Sequence, residues 1–210
     1  MIYDFPKPDE PIQQGDIFRN IPRIDFDLGR LPIVEDSNTS IKDWINILDK
    51  DLVTMVVAAR PVFAIVINQN CDVVRSQDIA LCEISPIDKV ITQSKDTKTP
   101  KSWMSLITKQ SRSNLKWFYL PIDKGMNFNN KMAVDFRSVL HTRRTYLEKN
   151  LTKLRVGRLN EIATEHFRER LSEYFRRYPY DEWYPLDKNE FQEYIKDKDG
   201  EDTLPFPYQI

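Results

Sequence analysis

Six consecutive apolar residues, Val62-Phe63-Ala64-Ile65-Val66-Ile67, follow the pair Arg60-Pro61 and give way at once to Asn68-Gln69-Asn70-Cys71-Asp72. A run of this length and β-branched content reads as a strand. Together with the apolar stretch before Arg60 it makes two strands, over 52–59 and 62–68, or one strand bent at Pro61. Neither stretch is long enough to cross a bilayer. Other segments read the same way. Residues 14–18 open with Gln14-Gly15-Asp16-Ile17-Phe18 as a first short strand. Over 79–84, Ile79, Leu81 and Glu83 alternate with Ala80, Cys82 and Ile84, and 117–120 and 133–140 carry further strand patterns. Helical spacing appears in two places. Ile41, Trp44, Ile45 and Leu48 follow a Ser40/Asp43 cap signal and predict a short helix over 40–50. Behind Asn160, a plausible N-cap, Ala163, Phe167, Leu171, Tyr174 and Tyr178 share one face as far as Pro179. Short strands followed by a terminal helix predict an α+β chain, a small curled β-barrel capped by helices.

Composition narrows the chemistry. The 210 residues include 5 Gly against 13 Pro, and neither G-x-G-x-x-G nor G-x-x-x-x-G-K-[ST] occurs, which argues against nucleotide motors and dinucleotide-dependent dehydrogenases. The formal net charge is −1, so the chain does not coat nucleic acid with its whole surface. That balance hides segregation: residues 1–55 carry a net −5, 56–136 a net +4, 137–177 a net +6 and 178–210 a net −6. Such blocks are either solvated faces that pair with one another or an anionic-ligand site between acidic flanks. The N-terminal residues show no signal-peptide pattern, which predicts a cytoplasmic protein with no membrane segment. Cys71 and Cys82 form no C-x-x-C pair, and they and the two histidines, His141 and His166, show no zinc-ligand spacing, so no metal is expected.

The order Gly15-Asp16-Ile17-Phe18, then Arg60-Pro61 with its apolar strand, then a turn and the strand 79–84 running into Ser85-Pro86 resembles the MazF/PemK-like family of toxin endoribonucleases. Val139-Leu140-His141-Thr142, the linking Leu151-Thr152-Lys153-Leu154 and the helix after Asn160 resemble that family's last strand, small loop and C-terminal helix. The similarity spans roughly 14–178, with gaps. It implies an SH3-like barrel domain over 14–178, preceded by an arm over 1–13 and followed by an acidic aromatic tail over 179–210. Residues 31–52, with the predicted helix, and 88–116 stand as insertions. It also implies a metal-independent and cofactor-free endoribonuclease that cuts single-stranded RNA by 2′-hydroxyl attack, in a toxin–antitoxin setting, with a homodimer and a protein partner or antitoxin as family expectations. The alternative is a non-catalytic SH3-like module that binds a protein partner or nucleic acid.

Residue by residue, Arg60 matches the family's catalytic arginine and Ser85 its catalytic Ser/Thr. A guanidinium offers planar paired donors to phosphate oxygens and stays protonated, so its role is electrostatic. Asp16 is the expected carboxylate to orient Arg60; a purely structural Arg60 paired with Asp16 or Asp72 is the competing reading. Over 88–114, Lys98, Lys101 and Lys109 interleave with Trp103, a pattern suited to RNA through phosphate neutralisation and base stacking, or to a solvated loop. Cys71 with His141 or His166 suggests a nucleophile, but no acyl-transfer motif surrounds it; a small buried residue in a tight turn is the alternative.

Overall fold

The computed structural model describes residues 2–35, 38–87 and 116–176. The chain divides into two compact units, Met1–Tyr174 and Phe175–Ile210. The expected tail over 179–210 and the Lys/Trp-rich segment over 88–115, with Lys98, Lys101, Trp103 and Lys109, lie outside the described residues.

The first unit is α+β, built on a seven-stranded sheet in the order β1-β9-β2-β5-β6-β8-β7, with every neighbouring pair antiparallel. The strands are β1 (Tyr3–Asp4), β2 (Asp16–Ile24), β5 (Ala59–Val66), β6 (Asp78–Pro86), β7 (Trp117–Leu120), β8 (Met132–Arg143) and β9 (Arg155–Leu159). All five strands expected around 15–18, 62–68, 79–84, 117–120 and 133–140 are present. Residues 52–58 are not a strand; Met55 alone bridges to Ile33. The expected closed barrel is not what the ladder forms. β1 and β7 are its two edges, and β1 has only two residues, already paired to β9, before Pro6 and Pro8 remove backbone donors. The edges nonetheless meet through side chains: the Tyr3 hydroxyl donates to the Pro121 carbonyl at 3.0 Å, and its ring packs on Phe128. Within the segment expected as an arm over 1–13, Tyr3 and Ile12 are buried in the core of this unit.

The continuous apolar run of β5 has a direct cause. Phe63 and Ile65 face a core with Ile84, Leu120, Phe128 and Val134, while Val62, Ala64 and Val66 face a second core with Phe18, Ile21, Ile79 and Leu81. With both faces covered, no position can be polar. Helix α4 (Glu161–Phe175) closes the first core, as its aromatic stripe predicts. Phe167 is fully buried between Phe118 and Phe136, and Asn160 caps the helix by accepting from Ala163 N. Among the described residues the unit also holds three shorter α-helices, α1 (Asn70–Arg75), α2 (Arg144–Lys149) and α3 (Leu151–Leu154), the last where a small loop was expected. Gly15, in the turn just before β2, has φ +88°, a conformation that L side chains rarely adopt. Among the described residues no helix is long and apolar enough to cross a membrane.

The β2–β5 hairpin ends at the pair Ile24–Ala59, and everything between is insertion. Its predicted helix over 40–50 does not form. Instead β3 (Leu31–Glu35) and β4 (Asn38–Lys42) make a two-stranded ribbon, followed by one 3₁₀ turn over Trp44–Ile47 capped by Asp43, not Ser40. The physical reason is tertiary: Leu31 and Ile33 of the ribbon bury Ile47, supported by Val53 and Met55, in a satellite core that needs only one turn of helix.

Candidate functional site

Strand alternation assembles the site. In β2, β5 and β6 the residues facing the second core are Phe18 and Ile21, then Val62, Ala64 and Val66, then Ile79 and Leu81. Toward one end of the sheet the same face continues as Arg23, Arg60, Glu83 and Ser85. Arg23 and Arg60 are register partners across β2 and β5. Opposite Glu83 the β6–β8 register shifts between Cys82 and Ile84, which leaves 135–138 of β8 bulged, and Ser138 reaches Glu83 from there.

Glu83 is the hub and is only 5% exposed. Arg60 grips it with both terminal nitrogens, Nη1 to Oε1 at 2.9 Å and Nη2 to Oε2 at 3.1 Å. The Ser85 hydroxyl donates to Oε1 at 3.0 Å and the Ser138 hydroxyl to Oε2 at 3.3 Å. Arg23 donates from Nη1 to Ser138 Oγ at 2.7 Å and from Nε to Asp25 at 2.7 Å, with its Nε 3.9 Å from Glu83 Oε2. The Arg60 Nε lies 3.6 Å from Asp25. Hydrogen bonding to Glu83 raises the Arg60 pKa, and hydrogen bonding from Arg23 holds the Asp25 carboxyl below its ordinary value. The Arg60 side chain is 54% exposed, so a buried carboxylate and an accessible guanidinium meet at the surface. Such a cluster can bind a phosphate through the outer hydrogens of Arg60 and place a proton acceptor beside it.

Arg60 and Ser85, read from the sequence, are thus brought onto one carboxylate. Asp16 is not with them. It is fully buried near the start of β2, about 20 Å along the strand from Arg23. It pairs with Arg158 (Nε to Oδ1, 2.5 Å) and Arg155 (Nη1 to Oδ2, 3.3 Å), which also bind the carbonyls of Glu10 and Pro11. Asp16 therefore ties down the N-terminal segment and orients nothing at Arg60. Asp72 does not pair with Arg60 either; Asp25 and Glu83 do. Cys71, expected in its alternative reading as a buried turn residue, is exposed on α1, whereas Cys82 is buried, with its thiol pushed up to about 12 by desolvation. Among the described residues no group of three or more His, Cys, Asp or Glu side chains is placed to hold a metal.

Glu83, Arg23, Asp25 and Ser138 were not singled out as site residues. For Glu83 a signal existed: it shares its strand face with Ile79 and Leu81, and a charge on an apolar face needs a partner. Arg23 and Ser138 carry no such mark, since only the β2–β5 register and the β8 bulge bring them in. Comparison with protein-family models and with curated proteins finds no match to this chain.

Proposed function

We propose that the protein is an endoribonuclease that cleaves single-stranded RNA without a metal, with Arg60, Arg23, Glu83 and Ser85 as its working groups. The reading rests on one observation: Arg60 and Ser85, the two residues that the sequence resemblance singles out for phosphate chemistry, hydrogen-bond the same buried carboxylate. In this scheme the RNA 2′-hydroxyl gives its proton to Glu83 and its oxygen attacks the adjacent phosphorus. The 2′-O–P bond forms and the P–O5′ bond breaks. The leaving O5′ takes a proton from solvent, giving a 2′,3′-cyclic phosphate and a 5′-hydroxyl. Arg60 and Arg23 stabilise the charge that gathers on the non-bridging oxygens. Ser85 and Ser138 hold the carboxylate in place.

The MazF/PemK-like, SH3-type reading of the fold belongs to the same proposal. Its support is the hairpin of β5 and β6 carrying Arg-Pro and Ser-Pro at the same end, the curl that brings Tyr3 to Pro121, and the C-terminal helix packed on the sheet. The second reading, a non-catalytic module, is favoured by the pairing of Arg60 with Glu83, which leaves the cluster close to neutral.

The test is incubation of the purified protein with a mixed single-stranded RNA pool in EDTA, with product ends mapped. Cyclic phosphate ends that vanish with Arg60→Ala, in a variant that remains folded, support the nuclease. Intact RNA that binds and is released unchanged supports the module.

A further inference from the structure

We propose that the insertion between β2 and β5 is a docking surface for a protein partner that presents a basic amphipathic segment. This goes beyond the nuclease reading and does not depend on it. Sixteen large hydrophobic side chains are exposed among the described residues, and ten of them fall within 24–57. Concentrated exposure of this kind marks an interaction surface, where scattered exposed residues would not.

The register explains how one short segment exposes so much. Met55 bridges Ile33, and Val34 N and Val56 N donate to the carbonyls of Thr54 and Pro32, so 54–56 runs as a third line beside β3. Leu31, Ile33, Val53 and Met55 then point inward onto Ile47. The opposite face carries the row Ile41, Pro32 and Val56, with Ile41 60% and Val56 58% exposed. Beyond the ribbon, Ile45, Leu48 and Leu52 are exposed at 67%, 58% and 86%. Ile41, Trp44, Ile45 and Leu48, whose spacing predicts a helix over 40–50, are thus all on the outside.

Charge selects the occupant. Residues 25–58 carry seven acidic and three basic side chains, a net −4. Lys42 and Lys50 both turn to Glu35. Asp27, Asp43, Asp49 and Asp51 are exposed and have no salt bridge among the described residues. A polyanion is repelled by such a surface, and a second copy would set like charges against each other. An apolar segment with lysines or arginines on its rim satisfies both the exposed aliphatics and the carboxylates. Because the insertion leaves the sheet at Ile24–Ala59, next to Arg23 and Arg60, a partner seated there stands beside the candidate site.

The test measures fluorescence anisotropy of a labelled amphipathic Lys/Leu peptide about four turns long against the full chain, without RNA. Its controls are the Glu/Leu counterpart and a scrambled Lys/Leu peptide with no apolar face. The Lys/Leu peptide is expected to bind at least about tenfold more tightly than either control. Ile45→Ser with Leu48→Ser is expected to weaken it by about tenfold or more. Asp49→Asn with Asp51→Asn, which touches no packing, is expected to weaken it and flatten its salt dependence. Equal binding of the Glu/Leu peptide, or unchanged binding by both variants, overturns the proposal. So does a dimer in sedimentation that Ile45→Ser with Leu48→Ser dissociates, which would make a second copy the occupant.

Discussion

Replacing Glu83 with Gln removes one charge and keeps the shape of the side chain, so it separates a proton acceptor from a brace. In the structure Glu83 accepts from both terminal nitrogens of Arg60 and from the hydroxyls of Ser85 and Ser138. Gln retains one carbonyl acceptor and turns an amide NH₂ toward donors. Hydrogen bonds to a charged group are worth about 1.5–3 kcal/mol each when buried. Arg60 is more than half exposed, so water replaces much of what it loses, and the expected cost is about 1–2 kcal/mol in total. For a chain of this size that lowers the thermal midpoint by roughly 2–8 °C. Loss of a general base costs far more in rate, about 10²–10⁴-fold. The assay is cleavage of a labelled single-stranded RNA at 25 °C in EDTA, with urea unfolding of the same preparation. A Glu83→Gln variant that cleaves within about threefold of the original refutes the proton-transfer role. One that loses more than about 4 kcal/mol of stability shows that the carboxylate is a structural keystone instead.

Asp16→Asn is expected to cost about 3–5 kcal/mol in urea unfolding, because it leaves Arg155 and Arg158 without their buried counter-charge, while cleavage per folded molecule is unchanged. Phe167→Ala, which empties a fully buried site between two aromatic rings, is expected to cost about 3–5 kcal/mol by the same measurement. Thiol titration with a disulfide reagent at pH 8 is expected to modify Cys71 alone in the native protein and both cysteines in denaturant. Cys82 is buried and its thiol stays protonated until about pH 12, so rapid modification of two thiols in the native state would contradict the packing of β6. At the ribbon, Lys42 and Lys50 lower the Glu35 carboxyl to about 2. Its contribution is complete above the ordinary glutamate range and is lost as pH falls from there toward 2, which Glu35→Gln should remove from an acid-unfolding curve.

What the sequence determined by itself is local and periodic. The apolar runs over 62–66 and 79–84, the Asn160 cap with its aromatic stripe, and the Arg-Pro and Ser-Pro strand ends depend on neighbours a few residues away, and the structure keeps them where the pattern put them, whereas the similar run over 52–58 forms no strand. Tertiary structure decided the rest. The 40–50 segment has helical spacing, yet strand pairing of 31–35 with 38–42 outweighs one short helix, because a ribbon satisfies its backbone and buries Ile47 at once. Asp16 went to Arg158 and Arg155, some 140 residues away, because β9 slots in beside β2. Glu83 became the centre of the candidate site only through the Arg23–Arg60 register and a bulge in β8 that aims Ser138 at it. A buried carboxylate gathers whatever donors the sheet brings within 3 Å or so, and which donors those are is a property of strand order, which no local stretch of this chain encodes.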